Sequence, residues 1–136
     1  QTTFFPFSYT ARYGHGKTLM TRIDSPKITT DKFGTVNAID AVTTYDATNN
    51  AAAIFLVNRS LTDTHTTEIE LAGFSDLKII EQVTLTDKDL TKTNTLETGE
   101  QVKPVSAITA TVSGTKVSIT LPPASWQMVR LSLKQA

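Results

Sequence analysis

Cysteine is absent from the 136 residues. That excludes a disulfide framework, thiol catalysis and cysteine-ligated metal, and by itself identifies no redox compartment. Histidine occurs only twice, at His15 and His65, in separate turns and with no second ligand at metal spacing, so both read as structural or exposed. Charge of one sign is missing too. Thirteen basic residues balance thirteen acidic ones, without a local Lys/Arg cluster. A chain of that kind lacks the electrostatic footprint of a partner for nucleic acid or an anionic membrane. No apolar run approaches the ~20 residues that span a bilayer. The chain begins at Gln1 rather than Met and shows no signal-peptide pattern, so it reads as cut from something longer.

What is present suits one ordinary domain. Hydrophobic residues make up 39% and charged residues 19%, the balance of a globular chain long enough to bury a core. The stretch Ala51 to Ser60 organises the rest. It follows a polar turn, Asp46 to Asn50, runs apolar without alternation and stops on Asn58-Arg59-Ser60. Such a run predicts a mid-sheet strand covered on both faces.

On either side the pattern is β. Thr18 to Ile23 predicts a strand ending at Asp24-Ser25-Pro26, and Thr29 to Asn37 reads as a polar loop. Strands follow at Ala38 to Tyr45, Thr67 to Leu71 and Leu77 to Thr86. In the last, Leu77, Ile79, Val83 and Leu85 share one face and Glu81 marks a bulge or bend. Thr86 to Pro104 is irregular. Ile108 to Val112 and Val117 to Leu121 alternate around Ser113-Gly114-Thr115-Lys116, which predicts a hairpin. After Pro122-Pro123, a final strand from Trp126 to Leu133 sets Val129, Leu131 and Leu133 on one face. About eight strands with almost no helix predict an all-β sandwich. The exception is Thr2 to Tyr13, crowded with Phe4, Phe5, Phe7, Tyr9 and Tyr13, where spacing and Pro6 predict a short helix closed by Gly14. So much aromatic surface asks for a partner, and the segment reads as the tail of a preceding domain.

Motifs that would carry chemistry fall short. Gly16-Lys17-Thr18 lacks the first glycine of a phosphate loop, since Ala11 holds that place, and a strand pattern follows where a helix must open. Asp87-Lys88-Asp89 begins like a calcium loop, but Lys92 stands at the glycine position and Thr98 at the bidentate position, so a solvated loop is the better reading. Asn58-Arg59-Ser60 is formally a glycosylation acceptor, and the competing reading has the Asn58 amide capping a strand end. No nucleophile elbow supports a Ser-His-Asp set. Phe55 reads as core, while Trp126 and Tyr45 are candidates for exposure, with packing the better reading of a Trp just after Pro-Pro, so aromatics are too few for a sugar-stacking platform. The residues alone yield an all-β accessory domain with no catalytic, cofactor-binding or metal-binding residue.

Several stretches together resemble the C-terminal end of family 51 glycoside hydrolases, the α-L-arabinofuranosidases. They are Pro6-Phe7 with Ala11-Arg12-Tyr13-Gly14-His15-Gly16, then Asp24-Ser25-Pro26 and Leu56-Val57-Asn58-Arg59. Val83-Thr84-Leu85-Thr86, Asp89-Leu90, Asn94-Thr95, Glu97, Val102 and Pro104 follow in order, and Leu121-Pro122-Pro123-Ala124-Ser125-Trp126 with Val129-Arg130-Leu131 closes the series. The turn Thr98-Gly99-Glu100-Gln101 departs from the Asn-Pro-Asp type common there. The resemblance implies a jelly-roll-like antiparallel sandwich over residues 17 to 136, with residues 1 to 16 the remnant of the last helix of a (β/α)8 barrel. Strands from the parent's N-terminal part would complete the sandwich, and without them one sheet edge stays open.

The resemblance also implies release of terminal arabinofuranosyl groups from arabinan or arabinoxylan with retention, by two barrel glutamates about 5–5.5 Å apart. Glu68, Glu70, Glu81, Glu97 and Glu100 match neither. The implied partners are the barrel of the same parent chain and, through it, arabinose-containing glycans. Members are commonly oligomers and often cytoplasmic in bacteria. A free-standing carbohydrate-binding module and an immunoglobulin-like interaction domain are the alternatives.

Overall fold

A computed structural model describes residues 1–20 and 24–136. Among the described residues, one helix, α1 (Phe4–Tyr13), precedes eleven strands: β1 (Lys17–Leu19), β2 (Lys27–Thr30), β3 (Gly34–Asn37), β4 (Ile39–Asp46), β5 (Ala51–Asn58), β6 (His65–Glu70), β7 (Phe74–Leu85), β8 (Val105–Ser106), β9 (Thr111–Ser113), β10 (Lys116–Leu121) and β11 (Ser125–Gln135). They form a six-stranded sheet in the order β1-β4-β5-β11-β7-β8, a three-stranded sheet β6-β10-β9 and a two-stranded ribbon β2-β3. Every strand pair is antiparallel.

The run from Ala51 does form a mid-sheet strand, flanked by β4 and β11. Its residues alternate between two covered faces. Ala52, Ile54 and Leu56 point inward with Val129 and Leu131 of β11 and meet Ile69, Val117, Ile119 and Leu121 of the smaller sheet. Full burial of an aliphatic side chain of this size contributes roughly 1.5–3 kcal/mol, so this layer dominates the stability of the sandwich. Ala53, Phe55 and Val57 point the other way, in register with Arg130, Met128 and Trp126.

That parity corrects several expectations. Phe55 is half-buried on the outer face and lies outside the inter-sheet core. Tyr45 is in that core, 7% exposed, its ring 4.8 Å from that of Phe74. The bulge expected at Glu81 exists, because Glu81 pairs with Arg130 while Ile79 pairs with the next residue, Leu131. The unpaired Ile80 reverses the alternation. Leu77 and Ile79 therefore face the core, whereas Val83 and Leu85 face outward rather than sharing their side.

Other boundaries move for local reasons. The supposed loop Thr29 to Asn37 belongs mostly to the β2-β3 ribbon, turned by Gly34 at φ 65°. Of the strand placed at Thr18 to Ile23, the structure has β1 (Lys17–Leu19), and residues 21–23 lie outside the described residues. Gly14 ends α1 with its N–H donated to the Thr10 carbonyl, but at φ −79° it is not a left-handed cap. Gly16 carries the real constraint: at φ 87°, an added Cβ would lie 2.0 Å from the Tyr45 carbonyl oxygen. The Gly-Lys-Thr sequence is thus a tight turn into β1.

The hairpin around Gly114 is present, but β9 starts only at Thr111. Gln82 explains the shortfall. Its Oε1 accepts the N–H groups of Thr109 at 2.8 Å and Ala110 at 2.9 Å, which are therefore not available to a strand partner. Its Nε2 donates to Gln127 Oε1 at 2.9 Å, and Gln127 Nε2 donates to the Thr120 carbonyl at 2.8 Å. Both glutamines are almost fully buried. This chain of amides joins the two sheets through the core, each member satisfied by the next. Gln82→Ala should orphan the buried Ala110 N–H, the partly buried Thr109 N–H and one amide oxygen, lowering unfolding stability by about 1–3 kcal/mol. Urea unfolding monitored by Trp126 fluorescence reads this out, and a loss below about 0.5 kcal/mol would refute the amide chain as a tie between sheets.

Candidate functional site

The outer face of the six-stranded sheet carries the most unusual surface. Strand alternation brings Val42, Phe55, Val57, Trp126, Met128, Val83 and Leu85 to one side, and such a face must be covered. Helix α1 covers part of it. Phe5, Tyr9 and Tyr13 recur at four-residue intervals, so they form one stripe. All three are half-buried, and none of the helix is fully buried.

Contacts along this stripe are aromatic and cationic. The ring of Tyr9 lies 6.0 Å from Trp126, which lies 6.4 Å from Phe55. Arg130 projects from β11 among apolar neighbours, with its guanidinium carbon 3.9 Å from the Tyr13 ring centroid. Its Nη1 donates to Glu81 Oε2 at 2.7 Å, and both side chains are about three-quarters buried. Glu81 holds the guanidinium where it lies over the tyrosine ring, an arrangement suited to cation–π attraction. Val83 and Met128 become fully buried beneath this layer. Beside it, Asp40, Val42, Phe55, Val57 and Trp126 line a groove of about 240 Å³. Phe4 and Phe7, on the far side of α1, are 62% and 75% exposed.

Residues singled out for chemistry are scattered. Glu81 is engaged by Arg130, and Glu70 accepts a hydrogen bond from the Thr115 hydroxyl. Glu68 is exposed on β6, and Glu97 and Glu100 are exposed in the stretch between β7 and β8. His65 is not in a turn but opens β6, opposite Leu121, while His15 lies exposed before β1. Among the described residues, no three His, Asp or Glu side chains come together as a metal site. No helix among them is long and apolar enough to cross a membrane.

Asn58 is 2% exposed, and its Nδ2 donates to the carbonyls of Asp63, Leu121 and Pro122 while its Oδ1 accepts the Ser60 N–H. It caps the strand end, and the glycosylation reading fails on access. Trp126, in contact with Tyr9 and Phe55, is half-buried packing rather than a free sugar platform.

Asp87 and Asp89 organise a turn. The Thr91 hydroxyl and N–H donate to Asp89, and the Asp89 N–H and Lys92 ammonium donate to Asp87. These donors hold both carboxyls below the usual carboxylate range. Lys92, which occupied the glycine position of the calcium pattern, supplies a cation of its own.

The Arg130–Glu81–Tyr13 clamp escaped the sequence reading. Its signal was two matching violations: a cation on the outward parity of an apolar strand, and an anion interrupting the apolar pattern of another.

Residues 1–125 match the family model described as the α-L-arabinofuranosidase C-terminal domain. The intracellular exo-α-(1→5)-L-arabinofuranosidase of Streptomyces lividans is 35% identical over 130 residues, covering 96% of this chain and 20% of that protein. The exo-α-(1→6)-L-arabinofuranosidase of Bifidobacterium longum is 36% identical over 134 residues, covering 96% of this chain and 26% of that one. A solved family 51 α-L-arabinofuranosidase from Bifidobacterium longum superposes with a TM-score of 0.86 at 34% identity, over 94% of this chain and 25% of that chain. The chain thus spans a fifth to about a quarter of the length of these relatives.

Tyr13→Ala should free the C-terminal turn of α1 from Arg130, weakening its attachment by about 1–2 kcal/mol. Faster amide exchange over residues 9–13, with β5 and β11 unchanged, is the expected pattern; unchanged exchange in α1 would discount the clamp. A second prediction concerns acid. The folded carboxyls of Asp87 and Asp89 titrate below their unfolded value of about 3.9, so their ordering of the turn is complete above that pH. It is lost as pH falls through the lower folded values. The Thr91 amide resonance should report that loss, and Asp89→Asn should abolish the titration step; a resonance unmoved down to about pH 2 would contradict it.

Proposed function

This chain belongs to the α-L-arabinofuranosidase C-terminal domain family, and from that we propose that it is the accessory β-sandwich of an enzyme releasing terminal arabinofuranosyl groups from arabinan- or arabinoxylan-type glycans with retention. The observation that carries this reading is a sandwich whose outer sheet face is apolar yet only partly covered by its own helix, in a chain matching relatives four to five times longer. The role of the segment is structural and interfacial. Its partner is the catalytic barrel of the same polypeptide, on which the outer face and α1 pack. Residues 1–16 belong to the end of that barrel and residues 17–136 to the sandwich.

The chemistry belongs to the barrel. Retaining hydrolysis needs one carboxylic acid to protonate the leaving oxygen and one carboxylate to attack, about 5–5.5 Å apart. The carboxylates here support no such role. Glu81 is committed to Arg130, Glu70 to Thr115, Asp40 to Arg59, Asp87 to Lys92 and Asp89 to Thr91, while Glu68, Glu97 and Glu100 are exposed. The name of the Streptomyces lividans relative, an intracellular enzyme, supports a cytoplasmic location.

In the parent enzyme, E68Q, E70Q, E97Q and E100Q should each leave kcat on an aryl arabinofuranoside within about twofold, whereas loss of a catalytic carboxylate costs orders of magnitude. A fall of about a hundredfold in any of them would place catalysis inside this segment. Retardation of the separate chain in an arabinan affinity gel would favour a sugar-binding module.

A further inference from the structure

The irregular stretch between β7 and β8, Thr86 to Pro104, is pinned at several points. Asn94 acts as a surrogate for a strand partner: its Nδ2 donates to the Val102 carbonyl at 2.7 Å, and its Oδ1 accepts the Val102 N–H at 2.8 Å. Val102 itself is buried. Beyond this closure, Thr95 bridges to Gly99, whose N–H donates to the Thr95 carbonyl at 2.9 Å. The Thr98 N–H donates to Thr95 Oγ1 at 3.0 Å. Leu96 stands at the tip of this fastened turn and is fully exposed.

At the base of the loop, Leu90 is also exposed, as is Leu61 across a groove of about 350 Å³ that Pro122 and Pro123 help to line. An apolar side chain held out on a rigid turn has already lost the conformational freedom that docking would otherwise cost. The stretch carries four carboxylates (Asp87, Asp89, Glu97, Glu100) and three lysines (Lys88, Lys92, Lys103), too balanced to recruit a polyanion. Thr2, at the start of α1, lines the same end of the sandwich together with Leu90 and Lys92. Whatever precedes α1 in a longer polypeptide enters beside this loop.

We propose that Thr86 to Pro104 is a preorganised docking element that seats Leu96 and Leu90 in an apolar recess of the catalytic part of the same polypeptide, resting on the accessory-domain reading above. It forms a second foothold, at the end of the sandwich, beside the one on the outer face. The absence of cysteine from this segment makes a single thiol a clean probe.

Leu96→Cys and, as an exposed control in the opposite β9-β10 turn, Ser113→Cys are to be made in the full-length parent enzyme. Maleimide labelling at each position is quantified by peptide mass against the same protein unfolded in urea. Leu96→Cys should react at least about tenfold more slowly than Ser113→Cys in the folded parent. Leu96→Glu should lower the temperature of half-inactivation of the parent by several degrees, although Leu96 is fully exposed in this chain. Equal labelling rates with unchanged thermal inactivation would overturn the proposal. So would protection that grows with protein concentration, which would mean a second copy of the enzyme covers the loop. Hydrolysis of an aryl arabinofuranoside by the same samples separates the two readings. An active parent with a reactive Leu96→Cys refutes the docking element alone, and an inactive wild-type parent refutes the enzymatic assignment.

Discussion

A sheet that is apolar on both sides has to be covered twice, and that requirement governs this molecule. β5 sends Ala52, Ile54 and Leu56 one way and Ala53, Phe55 and Val57 the other. The three-stranded sheet covers the first set fully. The second set lies under a ten-residue helix that is itself only half-buried, so Val42 remains 51% exposed and Phe7 more so. The asymmetry separates the two faces in kind. One is a finished core, and the other is an apolar surface still partly open to solvent.

Polar groups hold both layers in register. Within the core, Gln82 and Gln127 replace apolar residues at two inward positions, and the hydrogen bonds they make reach Thr109, Ala110 and Thr120. An apolar pair would pack as well but would not dictate which segment of the other sheet lies opposite. On the outer face, Arg130 and Glu81 do the corresponding work for the helix, using Tyr13 as the third member. Neither network offers a substrate a free functional group, because each polar atom named in it already has a partner.

The fold class was legible because period-two alternation and turn residues are local signals, and the chain obeys them in β6, β10 and β11. Parity errors arose where one residue changes the frame. Ile80 is such a residue: before it Ile79 faces the core, and after it Val83 faces outward, with nothing in the residue type to announce the switch. The same blindness put Phe55 in the core and left Tyr45, which is in it, a candidate for exposure. Ile108 to Ala110 read as strand, since their alternation is good, but a glutamine 27 and 28 positions away in sequence takes the N–H groups of Thr109 and Ala110. Contacts of that range are invisible to windowed reasoning. That Gly16-Lys17-Thr18 is a turn into a strand was equally legible, because motif spacing is also local. The docking clamp had a sequence trace, two opposite charges breaking two apolar patterns, but recognising it needs the register that pairs Glu81 with Arg130.

Strand order imposes a timetable. β11, the last strand in sequence, lies in the middle of the large sheet between β5 and β7. During synthesis the ribbon β1-β4-β5 and the ribbon β7-β8 have no shared edge, and each exposes a row of unpaired backbone groups until Ser125 to Gln135 leaves the ribosome and slides between them. Closure is therefore a late, long-range event, slow in the way that non-local β pairing is slow. The strands made earlier are already present when it happens, so β11 closes the sheet between two ribbons that have had time to pair.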